Sequence, residues 1–405
     1  MSAQPANTAA QLDRRDRLPE IPLVRAIAIV GVLCVHSTSN ATVEMTNSGI
    51  YWLYNFINIM AKFGTPTFIF LSSFVLFYNY IDRPIGAGML KSFYRKRAVG
   101  ILIPYLLFSI VYAIATHVLY YPDQPLGDAL HSFATNVLTG KAYTHLYFVF
   151  INVQFYILFP LTLWLFQKRP QLIKWALPIG LAVQWGFVLL NKYGLQIANK
   201  GSWAPSYFSY YMLGALIGIQ YPRIKQRLTS SSSRQAGPIP LLACVALFGA
   251  WLATGLAHVW IWYETRLNVA LYNSLLYEAL WNAYTIISAI LLLVMAVFIA
   301  RHGSRWVVRI LNRLGALSFG IYLLHPMLLL AYRHRPIHAG NSMLVHLWYA
   351  GGFVLALSGA WLIVGLAARW LPFASLLFGQ LPERKKITTD DGSNKVTPPY
   401  GVPTA

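Results

Sequence analysis

Apolar runs broken by short polar turns fill the chain from about residue 22 to residue 370. Ten of these runs are long enough to cross the ~30 Å hydrocarbon core of a bilayer. They fall at roughly 22–38, 61–80, 98–119, 144–166, 173–191, 205–221, 238–258, 271–299, 314–332 and 343–370. The pattern predicts an all-α integral membrane protein, a bundle of about ten transmembrane helices. The eighth and tenth runs exceed what an upright span needs, which predicts tilt or extension past the bilayer. The stretch 51–60, YWLYNFINIM, reads as an interfacial aromatic segment, and Gly64 and Pro66 predict a kink just inside the second span. Residues 1–20 and 372–405 are expected to be cytoplasmic tails, the first disordered and the second mostly so, around one membrane domain at 21–371.

Composition narrows the class. Charged residues make up 11% of the chain, against about 25% in soluble domains, so the runs are not the core of a soluble fold. The net charge of +20 would suggest nucleic acid for a soluble protein. Here the cations sit mostly in short loops, which excludes that partner and fits the positive-inside rule. With the N-terminus placed in the cytoplasm, alternate loops and both tails hold 23 Lys or Arg and the remaining loops hold six. That split predicts both termini inside. The first twenty residues are polar and carry Arg14, Arg15 and Arg17, so no cleavable leader is expected. Cys34 and Cys244 both lie inside apolar runs, which predicts neither a disulfide framework nor a zinc site. No internal repeat is evident, and this argues against a transporter built from two related halves.

Ionisable residues inside these runs carry the chemistry. In LVRAIAIVGVLCVH, Arg25 and His36 are separated by eleven residues, or roughly 16 Å along a helix rising about 1.5 Å per residue. A cation near one face and an imidazole deep inside mark a site or pathway, because such groups are costly in lipid. A histidine there can remove a proton from a hydroxyl or carry an acyl group itself. His325, in SFGIYLLHP, is followed by Pro326, which is expected to loosen the helix. Glu278 is the one acid placed well inside a run, and depth counting puts it level with His36 and His325, where it can orient an imidazole. A packing role competes with each assignment. Lys62 reads as a snorkelling residue of the outer face.

Three segments occur in order: Arg25-Ala-Ile-Ala-Ile ending in His36, Phe93-Tyr-Arg-Lys-Arg97 followed by Ile103-Pro104-Tyr105, and Ser318-Phe-Gly-Ile-Tyr-Leu-Leu-His-Pro326. With His145-Leu-Tyr-Phe and Gln154-Phe-Tyr156 before Pro160, they resemble the acyltransferase 3 family of membrane-bound O-acyl transfer proteins. The resemblance spans residues 20–370. It implies a multi-pass protein of the inner or plasma membrane that moves an acyl group, acetyl or another short chain, from cytoplasmic acyl-CoA. The acceptor implied is a hydroxyl of a cell-envelope or exported carbohydrate.

On this reading His36, Glu278 and His325 are catalytic, and Arg25, Arg95, Lys96 and Arg97 hold the phosphates of the CoA donor. His145, Tyr147, Gln154, Tyr156 and Tyr322 would bind the acceptor. No permanent cofactor is expected, and no metal, since these histidines lack ligand spacing. Possible companions are a glycan synthase or a second copy of the chain. Two departures from the family stand out: Gly100 occupies a position that often holds a second arginine, and no esterase-like domain follows the last span. Rival classes are an exporter of a polysaccharide or small metabolite and a non-catalytic subunit of a glycan synthase.

Overall fold

The computed structural model describes residues 18–229, 241–337 and 342–382, and every regular element among them is helical. Ten long helices follow in order. They are α1 (Glu20–Thr38), α2 (Tyr51–Tyr80), α3 (Ala87–Tyr120), α4 (Tyr147–Lys168), α5 (Pro170–Leu195), α6 (Phe208–Thr229), α7 (Leu242–Leu267), α8 (Ser274–His302), α9 (Arg305–Arg333) and α10 (Met343–Trp370). Among the described residues, nine are long and apolar enough to cross a membrane by length and composition. The chain is therefore an all-helical, multi-pass membrane protein.

The exception is α6, the sixth expected span. Its last turns, YPRIKQR, are too polar for a lipid-facing helix. Those turns run beyond the expected span and leave Arg223 and Gln226 exposed, while the turns before them are pressed against α2. A Cβ added to Gly214 would lie 2.4 Å from the Phe70 carbonyl oxygen, and one on Gly218 would lie 2.5 Å from that of Phe74. Small residues that let two helix backbones touch are how membrane helices associate without a hydrophobic drive. By contrast α7 shows a stripe of exposed Leu242, Val245, Phe248, Leu252, Leu256 and Trp260 at helical spacing, the signature of a lipid-facing surface.

The helices are interrupted at or beside glycines. The aromatic stretch Tyr51–Met60 is the first third of α2, joined through the 3₁₀ turn Ala61–Phe63 to Gly64–Tyr80, so the expected interfacial segment and span form one broken helix. In α3 the residues Ala98–Leu102 form a π turn, as do Leu355–Gly359 in α10. Pro326 does not interrupt α9, which continues through it. Beyond the last span, the short helix Ala374–Phe378 folds back on the bundle, with Phe378 buried against Phe108. The packed part of the chain thus extends past residue 371, and residues 383–405 of the expected tail lie outside the described residues, as do 1–17.

Candidate active site

Eleven residues make just over three helical turns, so Arg25 and His36 lie on one face of α1, facing opposite ends of the bundle.

At the His36 end, a cavity of about 400 Å³ opens between α1, α2, α4, α7 and α8. Its wall includes Val32, Val35, His36, Lys62, Thr65, Tyr147, His258, Trp262, Tyr277, Glu278 and Trp281. The 3₁₀ turn of α2 forms one side. It sits close to α1 because Gly64 has no side chain, and a Cβ there would meet Val32 at 2.6 Å. Lys62 is thereby turned from the lipid toward the cavity, where its ammonium lies 4.5 Å from the centre of the Trp262 ring. That replaces the snorkelling role read from the sequence.

Behind His36 the structure gathers a cluster of three imidazoles. The His36 ring centre is 5.2 Å from that of His325 and 6.4 Å from that of His145, and the last two are 5.7 Å apart. His145 and His325 are fully buried, whereas His36 reaches the cavity. The His325 Nδ1 lies 3.1 Å from the Ile321 carbonyl, one turn back in α9. A carbonyl only accepts, so neutral His325 carries its proton on Nδ1 and presents a lone pair at Nε2. That Nε2 and both ring nitrogens of His145 have no hydrogen-bond partner among the described residues. The Leu323 carbonyl beside His145 accepts instead from Tyr112, at 2.8 Å. Three unpartnered ring nitrogens within a few ångströms of the cavity wall are costly in a membrane interior.

Aromatic rings hold the cluster in place. Tyr322 donates its hydroxyl proton to the backbone carbonyl of His145, and its ring packs 5.1 Å from the imidazole. Tyr112 and Tyr143 stack at 4.1 Å against its other side. Arg333, at the end of α9, donates to the His36 carbonyl at 2.6 Å and so caps the end of α1.

Glu278 shares the cavity with His36. Its carboxylate is paired with Lys200 at 2.6 Å, and no hydrogen bond joins it to an imidazole among the described residues. It lies one turn inside α8, which starts at Ser274 rather than at residue 271, and is nearer the mouth than depth counting placed it. Tyr147 also lines the cavity, within 3.2 Å of Thr65 Oγ1. Gln154 does not. Its amide donates to the Ser202 carbonyl at 2.9 Å and accepts from the Ala204 backbone N–H at 3.0 Å, pinning the loop before α6. Tyr156 is also elsewhere, because nine residues along a helix carry it about 13 Å further from the cavity than Tyr147.

Tyr156 belongs to the Arg25 end. The Arg97 guanidinium lies 5.3 Å from the Tyr156 ring and as far from that of Phe93, and Arg25 faces both Tyr156 and Arg97. Arg25 has no hydrogen bond or ion pair among the described residues. A second cavity of about 580 Å³ lies at the surface nearby, lined by Lys91, Ser92, Arg95, Lys96, Gly100, Gly379 and Gln380 among others. Arg95 and Lys96 are on its wall, whereas Arg97 points inward. Gly100 is buried, and a Cβ on it would lie 3.3 Å from the Gln380 side chain. The segment after the last span therefore occupies the room an arginine would take. The two cavities share no lining residue.

Residues 18–365 match a family profile described as an acyltransferase domain. The chain belongs to the acyltransferase 3 family. Among curated proteins, it is 23% identical over 389 residues to a probable poly-beta-1,6-N-acetyl-D-glucosamine export protein of Staphylococcus aureus, covering 91% of this chain and 97% of that one. A protein of the same description from Staphylococcus epidermidis is 23% identical over 329 residues, covering 76% of this chain and 81% of that protein. No solved structure matches. For this acyltransferase 3 member, sequence reasoning did not find Lys62, His258, Trp262 and Lys200. Only their lateral convergence marks them, and no spacing rule reports it.

Proposed function

We propose that this chain is a membrane O-acyltransferase that takes an acyl group, acetyl or another short chain, from acyl-CoA and passes it to a hydroxyl of a cell-envelope or exported carbohydrate. The observation that carries the reading is the position of His36. It lines the cavity at one end, touches two buried imidazoles with unpartnered nitrogens, and shares a helix face with Arg25 at the other end. The donor binds at the Arg25 end, with its phosphates on Lys91, Arg95 and Lys96. Its thioester reaches inward past Arg97, Tyr156 and Arg25. This end is the cytoplasmic one, as the loop charges predict, in the inner or plasma membrane.

In the reaction, the acceptor oxygen attacks the thioester carbonyl, the C–S bond breaks, and the hydroxyl proton ends on the CoA sulfur. His36 removes that proton as general base, or takes the acyl group first and yields it to the acceptor. The His325 Nε2 lone pair shares that proton with His36 during the transfer, and His36 then delivers it to the leaving CoA sulfur. His145 and its tyrosines keep water out and the rings aligned, and Trp262, Trp281 and Tyr147 offer aromatic faces to a sugar.

The names of the relatives favour a second reading, export of a polysaccharide. The separation of the two cavities weighs against an open path in this arrangement. One experiment divides the readings. Purified protein is incubated with radiolabelled acetyl-CoA and envelope carbohydrate, and free thiol and label in the carbohydrate are measured. An acyltransferase releases CoA in step with labelling, whereas an exporter leaves the thioester intact.

A further inference from the structure

The cavity at the His36 end has an unbalanced charge. The carboxylate on its wall, Glu278, is already paired with Lys200. Lys62 is half-buried and has no hydrogen bond or ion pair among the described residues. Its neighbour is another cation, since Arg266 lies 5.2 Å from the centre of the same Trp262 ring.

Among the described residues no carboxylate pairs with that charge. Arg266 is held by neutral acceptors, Asn55 Oδ1 at 2.9 Å and Asn58 Oδ1 at 3.0 Å. The Trp262 indole N–H donates to His258 Nε2 at 2.9 Å, so neutral His258 keeps its proton on Nδ1, which has no partner. The Trp262 ring is thus fixed from three sides, and Lys62 rests on it with its charge toward the cavity. A cation enclosed in a membrane protein is expensive unless an opposite charge meets it.

We infer that Lys62 and Trp262 form an anion subsite, and that the molecule transferred or acylated here carries a carboxylate or phosphate that reaches Lys62. The inference rests on the cavity being the place of acyl transfer and narrows what occupies it. The anion has two chemical sources. One is the far end of a dicarboxylic acyl group, and the other is an acidic or phosphorylated acceptor sugar. Both present an oxyanion to the same ammonium, and in a cavity of about 400 Å³ neither lies far from His36.

The test measures binding without turnover. The purified full chain is titrated at constant ionic strength with succinate, glucuronate, glucose 1-phosphate, glucose and glucosamine, and the shift in melting temperature gives an apparent Kd. The wild type should be stabilised saturably by at least one of the three anions, and not by glucose or glucosamine. Succinate alone assigns the anion to the acyl group, whereas glucuronate or glucose 1-phosphate alone assigns it to the acceptor. Lys62→Gln should weaken the effective anion by at least ~10-fold and Lys62→Arg by much less, since a charge-assisted contact is lost in one and kept in the other. Trp262→Leu is a second variant should Lys62→Gln not fold.

Equal stabilisation by glucose, no anion response from the wild type, or an unchanged Kd in Lys62→Gln overturns the subsite. Acyl transfer is assayed in parallel. A missing anion response with intact transfer condemns the subsite alone, and an anion response without thioester cleavage condemns the transferase reading alone.

Discussion

At the Arg25 end the cavity's cations, Lys91, Arg95 and Lys96, stand exposed on one helical segment. At the His36 end the polar groups come from five helices and are half-buried or buried, with fixed rings between them. Exposed charges are redundant and screened, so each contributes little and the sum gives affinity. Enclosed imidazoles depend on one another's tautomer and position, so losing one changes the chemistry. On the proposed reading, one end holds the donor and the other carries the reaction.

That contrast orders the expected effects of substitution. His36→Gln keeps size and hydrogen bonding but cannot act as base or acyl carrier, so kcat should fall by about 10²–10⁴-fold. Normal glycan acylation by this variant would reduce His36 to a packing residue. His325→Gln can still donate to the Ile321 carbonyl but offers no titratable lone pair, and kcat should fall by about 10–100-fold with KM unchanged. A change in KM instead would make His325 part of the acceptor site. Replacing Arg95 and Lys96 together by Gln should raise KM for acyl-CoA by about tenfold and leave kcat alone, because contacts to the phosphates are uniform binding. An unchanged KM would leave the cluster as a topology signal only. Glu278→Gln should have the smallest effect, within a few-fold, because its partner is Lys200 and no hydrogen bond joins it to an imidazole among the described residues. A loss as large as that of His36→Gln would show that Glu278 leaves Lys200 to act on an imidazole during the reaction.

How far the sequence reached follows the same division. Helix number, the broken second span and the pairing of Arg25 with His36 along one helix are local features, written in apolar runs and a fixed spacing. Depth along a helix was readable only in part: Glu278 lines the same cavity as His36, but α8 starts later than expected and leaves it nearer the mouth. Lateral position was not. Tyr147, Gln154 and Tyr156 share a helix within ten residues, yet one lines the cavity, one clamps a loop and one faces Arg25. The gathering of His145 with His36 and His325 depends on the turn before α4 meeting α1 and α9, and the turning inward of Lys62 depends on a 3₁₀ turn held against α1. The sixth span was expected at 205–221; the helix runs on to Thr229, so that Gly214 and Gly218 seat its earlier turns against α2 while the polar turns beyond leave Arg223 and Gln226 exposed.

The division of labour between the ends is tested most directly in sealed vesicles. Right-side-out and inverted membrane vesicles carrying the protein are given radiolabelled acetyl-CoA, which does not cross the bilayer, and the label in glycan is followed. Inverted vesicles expose the Arg25 end to the donor, so they should label glycan on their inner side. Right-side-out vesicles and those carrying His36→Gln should stay unlabelled. Labelling of right-side-out vesicles, or glycan labelled only on the side where the donor was added, would contradict an acyl group passing from one cavity to the other through His36.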